Sequence, residues 1–165
     1  MVEPLQWKTL FILCLLFTAS CSPSTPTPAQ ISTFTDSDPE LEEAVRQAQN
    51  TIHTFRQALL SPQSSYSLAS LKIRFENNGE TEDMWTEPIF IFDEVYTVRM
   101  IEGVTLKPGI HPERLVDVGL QDIVDWMILQ EDGKLIGGYT LRLEYERMPP
   151  EEQKKYLEIT GYKFE

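Results

Sequence analysis

The chain has 165 residues, 41% of them hydrophobic and 24% charged, enough for one globular domain with additional segments. Its 26 acidic residues outnumber 14 basic ones, for a net charge of -12. A surface of that sign repels phosphate backbones and argues against a nucleic-acid partner; a cationic protein or peptide is electrostatically easier, unless the charge serves only solubility.

The N-terminus, MVEPLQWKTLFILCLLFTASC, has Lys8 in a weakly basic start, an apolar run over residues 10–17, and the small residues Thr18, Ala19 and Ser20 ahead of Cys21. A bilayer-spanning helix needs ~20 apolar residues, so this run is too short to be a stable span. The pattern resembles a bacterial lipoprotein signal peptide over residues 1–20, with Thr18 where an aliphatic residue is usual. An ordinary signal peptidase could also accept the small residues, and the product would then be secreted. In the lipoprotein reading Cys14 leaves with the signal, and Cys21 becomes the first residue of the mature chain and its single thiol. An exposed lone thiol is a liability in an oxidising compartment, whereas an acylated one is an anchor, each buried CH₂ contributing ~0.8 kcal/mol. The expected location is therefore extracytoplasmic, held to a membrane through lipid on Cys21. Residues 21–38 are rich in Pro, Ser and Thr and read as an extended tether. At ~3.1 Å per residue they reach roughly 50 Å.

Residues 39–165 are expected to form one domain. Asp38 is placed to cap a helix over residues 39–60, Pro39 suits its first position, and Leu41, Val45, Ala48, Ile52, Phe55 and Leu59 make one apolar stripe. Residues 70–76 alternate Leu71, Ile73 and Phe75 with charged residues, the mark of a half-buried strand. NNGE predicts a turn, and residues 84–92 and 95–101 a hairpin in which Pro88 implies an edge or a bulge. LKPGIHPER reads as a loop, residues 115–120 as a short strand, and residues 122–125 as one helical turn with Asp122 and Asp125 in a capping arrangement. Residues 126–130 and 134–145 are expected as a second hairpin around Asp132 and Gly133, with Tyr139, Leu141, Leu143 and Tyr145 on one face and a bulge or close backbone approach at Gly137 and Gly138. RMPPEEQKKYLEITG predicts a short helix ending at Gly161. The sum is an α+β domain: a mostly antiparallel, bent sheet of about six strands, a long N-terminal helix and a short C-terminal one.

Asp83-Met84-Trp85, Leu106-Lys107-Pro108-Gly109, residues 122–127, Gly138-Tyr139-Thr140-Leu141-Arg142 and residues 148–152 together resemble the bacterial family called domain of unknown function 2314, also described as YegJ-like. The resemblance covers about residues 70–156. It implies a fold and no assigned chemistry.

Two histidines, His53 and His111, and one lipid-bound cysteine cannot build a zinc site, and no phosphate-binding, nucleophile-elbow or calcium-loop motif occurs. No cofactor is expected. The candidate ligand-binding residues are Trp85, Asp122, Asp125, Trp126, Tyr139 and Arg142. Each also has a structural reading: caps for the acids, core packing for the aromatic residues, an ion pair with Asp125 or Glu87 for Arg142. The leading expectation is a non-catalytic binding module tethered to a membrane. The alternatives are an envelope hydrolase using carboxylates such as Asp122 and Asp125, and an immunity-like acidic blocker of a cationic protein.

Overall fold

The computed structural model describes residues 38–61, 65–105, 107 and 109–164, which lie in one compact unit. The signal sequence, Cys21, most of the tether, and Leu106 and Pro108 of the expected loop lie outside the described residues. Helix α1, Pro39–Leu60, starts as its sequence dictates: Asp38 Oδ1 accepts the N–H groups of Glu40 and Leu41 at 3.1 and 3.3 Å, and Glu40 and Glu42 face the positive end of the dipole. Ala48, Ile52 and Phe55 of the expected stripe are buried. In the first turns Ala44 takes the buried place expected for Val45.

The sheet runs β1 Leu68–Asn77, β2 Glu80–Phe92, β3 Val95–Met100, β4 Leu115–Val118, β5 Ile123–Leu129 and β6 Leu135–Gly137. Its spatial order is β4-β3-β2-β1-β5-β6, and every pairing is antiparallel. The β1–β2 turn is carried by Asn78 and Gly79, both left-handed at φ 53° and 82°, which matches the right-handed twist of the strands. Leu71, Ile73 and Phe75 of β1, Tyr96, Val98 and Met100 of β3, and Trp126 and Ile128 of β5 form one core with α1. Trp126 anchors it: its ring lies 5.7 Å from Phe55, and its Nε1 donates to Ala48 O at 3.0 Å and Thr51 Oγ1 at 3.2 Å.

The chain departs from expectation after β6. Residues 134–145 do not form one long strand; β6 stops at Gly137, and Tyr139–Arg147 is helix α2, followed by α3, Pro150–Thr160. The break is at the two glycines, both left-handed at φ 73° and 67°. A Cβ on Gly137 would lie 2.4 Å from the Trp126 carbonyl oxygen, so the sequence reading of a close backbone approach holds while the strand beyond it does not. The alternation of Tyr139, Leu141, Leu143 and Tyr145 is incidental: helix α2 buries Thr140 and Leu141. The expected helical turn over residues 122–125 is also displaced, to a 3₁₀ turn Leu120–Asp122, with Asp125 inside β5. A second core on the other face of the sheet joins Met127, Leu135 and Leu141 to Trp85, Tyr156, Tyr162 and Phe164. The β1–β5 half of the sheet is thus covered on both faces.

Candidate functional site

The geometry centres on Asp125, which is fully buried. Lys72 pairs with Asp125 and Ile73 with Ile123, so Val124 is an extra residue, and such a bulge re-aims the neighbouring side chain. The carboxylate reaches the first turn of α2. Oδ1 accepts from the N–H groups of Trp126 at 2.8 Å and Tyr139 at 3.0 Å. Oδ2 accepts from the Thr140 N–H and hydroxyl, both at 2.8 Å, and from Leu141 N–H at 3.4 Å. Gly138 stands at the cap position and has no side chain, so a residue from another element caps the helix. Burial pushes the Asp125 carboxyl above its ordinary range, while the Thr140 hydroxyl and the backbone donors pull the other way.

Thr140 links this acid to a second charged group. Lys72 Nζ donates to Thr140 Oγ1 at 3.3 Å and to Glu144 Oε1 at 2.9 Å, and it lies 5.7 Å from the centre of the Trp85 ring. Lys72, Thr140 and Asp125 form a buried polar chain, closed by Glu144 nearer the surface. Chemically it is a satisfied network: each carboxylate oxygen of Asp125 faces donors, and the ammonium has an acid partner.

The other expected residues make further contacts of their own, and Tyr139 and Arg142 share the wall of one groove. Asp122 accepts Gly119 N–H at 2.8 Å and closes the 3₁₀ turn. Trp126 and Asp125 are consecutive in β5 and point to opposite faces of the sheet, Trp126 into the α1 core. Tyr139 meets Trp126 edge to face, with centroids 6.0 Å apart. Arg142 donates to the carbonyls of Gly137 and Leu135 and lies 5.3 Å over Phe164, so it pins the β6–α2 turn and the C-terminal segment. Glu87, expected as a possible partner of Arg142, instead holds Arg99 through two bonds to one oxygen. His53 and His111 are exposed and touch nearby carbonyls, those of Asn50 and Gly109. Among the described residues, no group of three or more His, Cys, Asp or Glu side chains is placed to hold a metal ion.

Two concavities do not have Asp125 in their walls. A groove of about 260 Å³ between α1 and α2 is lined by Glu40, Glu43, Gln47, Tyr139, Arg142 and Glu146. A cleft of about 310 Å³ is lined by Leu59, Tyr66, Leu68, Ser70, Glu87 and Ile101, with Pro88 at its wall. None of the expected site residues lines this cleft; Leu59, Glu87 and Pro88 stand out in the sequence only as structural positions, a helix stripe, an ion-pair partner and an edge or bulge. The outer half of the sheet carries a further feature. Phe90 lies opposite Thr97, Phe92 opposite Val95 and Leu115 opposite Arg99, so Phe90, Phe92, Val95 and Leu115 share the face turned away from α1. Phe90 is 60% and Phe92 66% exposed.

Comparison with curated proteins and with solved structures finds no match. A family model described as an uncharacterized protein conserved in bacteria matches residues 38–164, the span within which the described residues lie. The chain belongs to that bacterial family, domain of unknown function 2314.

Proposed function

We propose that the protein is a bacterial lipoprotein, acylated on Cys21, whose domain is a non-catalytic binding module held outside the cytoplasm. The apolar outer face of the sheet carries the binding reading: Phe90, Phe92, Val95 and Leu115 are each between 46% and 66% exposed on one side of neighbouring strands. Phe92 stands opposite Val95 with Phe90 two residues along the strand, and this exposed apolar cluster, bordered by Thr97, Arg99 and Asp117 on the same face, is what a partner covers on a small acidic domain. The use of Asp125 as a helix cap supports the non-catalytic part, because an acid with both oxygens engaged and no exposure is poorly placed to exchange a proton with a substrate. The same argument weakens the carboxylate hydrolase. The short apolar run, the small residues before Cys21 and the Pro/Ser/Thr-rich stretch support the anchor.

Two experiments test the parts separately. Cys21→Ser should move the protein from the membrane to the soluble fraction, and a signal-cleaved Cys21→Ser product that stays with membranes overturns the anchor. A photo-crosslinking residue at Phe92 should capture a discrete envelope component in cells. Crosslinks no more frequent than those from an exposed α1 position such as Gln57 overturn the binding surface.

A further inference from the structure

The β1–β2 ladder ends at Leu71 opposite Thr86, yet β1 runs on through residues 68–70, paired there with β5 alone. Continuing the register would set Ser70 opposite Glu87 and Ala69 opposite Pro88. Pro88 has no N–H to contribute, and the irregularity between Pro88 and Phe90 carries β2 away with β3. The two strands part, and the 310 Å³ cleft opens between them. Peptide groups of an antiparallel strand point alternately to its two sides. Part of the backbone of residues 68–70 therefore faces a gap that no strand fills among the described residues.

The walls define the occupant. Leu59, Leu68, Pro88 and Ile101 make the cleft mostly apolar, with the buried Ser70 at its floor. Glu87 stands on the wall; Arg99 takes its Oε2, and its Oε1 has no partner among the described residues. Glu102 follows Ile101 and is exposed. The chain as a whole carries -12. We infer that this cleft accepts an extended, net-positive segment of a partner protein, which adds a strand along residues 68–70 of β1 and seats an apolar side chain against Leu59, Leu68 and Ile101. Unpaired strand backbone supplies the hydrogen bonds, the cleft selects an alternating apolar side chain, and the acids select the charge. The inference rests on the binding-module reading and is independent of the lipid anchor.

The test uses the full chain in detergent and an end-capped octapeptide that alternates valine and lysine. Backbone amide spectra should show saturable shifts, and slowed hydrogen exchange, at residues 67–70, Glu87 and Ile89. A peptide of the same composition in two blocks, four lysines then four valines, should not produce them, nor should one alternating valine and glutamate. Pro88→Val restores an N–H that lets the two strands close, and it should weaken binding about tenfold, the loss that two backbone hydrogen bonds account for. Leu68→Lys, at the exposed rim, should weaken it comparably by repelling the peptide. Equal binding of the alternating and block peptides, shifts confined to residues other than these, or no saturable shift at all overturns the cleft. If crosslinks at Phe92 still capture a discrete component in that case, the module reading stands and only the strand-addition site falls.

Discussion

At the scale of single residues, Asp125 separates two explanations of a buried acid. A catalytic carboxylate is held against the preference of the fold, so neutralising it leaves stability unchanged or improved. A capping carboxylate supplies the fold itself. Here Asp125 engages the N–H groups of Tyr139, Thr140 and Leu141 and the Thr140 hydroxyl in a site without solvent. Asp125→Ala should therefore destabilise the domain by about 3 kcal/mol in chemical denaturation, from the lost cap and the donors left without acceptors. Asp125→Asn should also destabilise, because its amide nitrogen would face donors. A loss below ~0.5 kcal/mol in both variants would falsify the structural role.

Asp38 gives the pH counterpart. Its carboxyl is lowered to about 2 from an ordinary 3.8, first by the hydrogen bond from Arg147 at the end of α2 and then by the backbone N–H groups of Leu41 and Glu40. A depressed folded-state value means that the unfolded chain takes up the proton first. The contribution is present above pH 3.8 and lost as pH falls towards about 2. Arg147→Met should flatten the stability profile in that window and leave the region above pH 5 parallel to the parent. Because the pair sits at the surface, added salt should shrink the difference. An unchanged slope between pH 4 and 2 would show that Asp38 is not held by Arg147.

At the scale of elements, glycines decide where the chain stops being a strand. The sequence of residues 134–145 alternates well enough to be read as strand, and its apolar spacing carries no strong helical signal. The deciding facts are non-local. Gly137 must let its backbone pass the Trp126 carbonyl, and the first turn of α2 borrows its cap from Asp125 on another strand. Neither is visible to a reading of local pattern. By contrast, Asp38, Pro39 and the three-and-four spacing make α1 legible, Asn78 and Gly79 make the first turn legible, and Pro88 marks the bulge. Gly137→Ala should cost about 3 kcal/mol or more, since left-handed strain adds to the overlap with Trp126. Gly79→Ala, at φ 82° with open space around it, should cost about 1 kcal/mol. Comparable midpoint shifts for the two variants would mean that backbone strain alone, and not the close approach, makes Gly137 necessary.

At the scale of the whole molecule, the sheet is asymmetric. Towards β5 and β6 it is covered on both faces, by α1 on one side and by α2, α3 and the C-terminal aromatic residues on the other. Towards β4, among the described residues, only the α1 side is filled, and the opposite side shows Phe90, Phe92, Val95 and Leu115. The site residues chosen from sequence fall almost wholly in the covered half, because acids, tryptophans and glycines that stand out in a sequence are those that a fold uses for caps, cores and turns. The open half is hidden in the sequence for the opposite reason: residues 89–92 are an unbroken apolar run whose two faces the pattern does not distinguish, and only the strand order reveals that, among the described residues, no helix lies over Phe90 and Phe92. Phe92→Ser should therefore change stability by less than about 0.5 kcal/mol, as for a surface position, while lowering crosslinking or co-purification of a partner. If Phe92→Ser instead destabilises the domain by several kcal/mol, the side chain is packed in solution, and the outer face belongs to the core of this protein or of its oligomer. Sedimentation of the parent chain distinguishes those two outcomes, because only an oligomer changes mass with concentration.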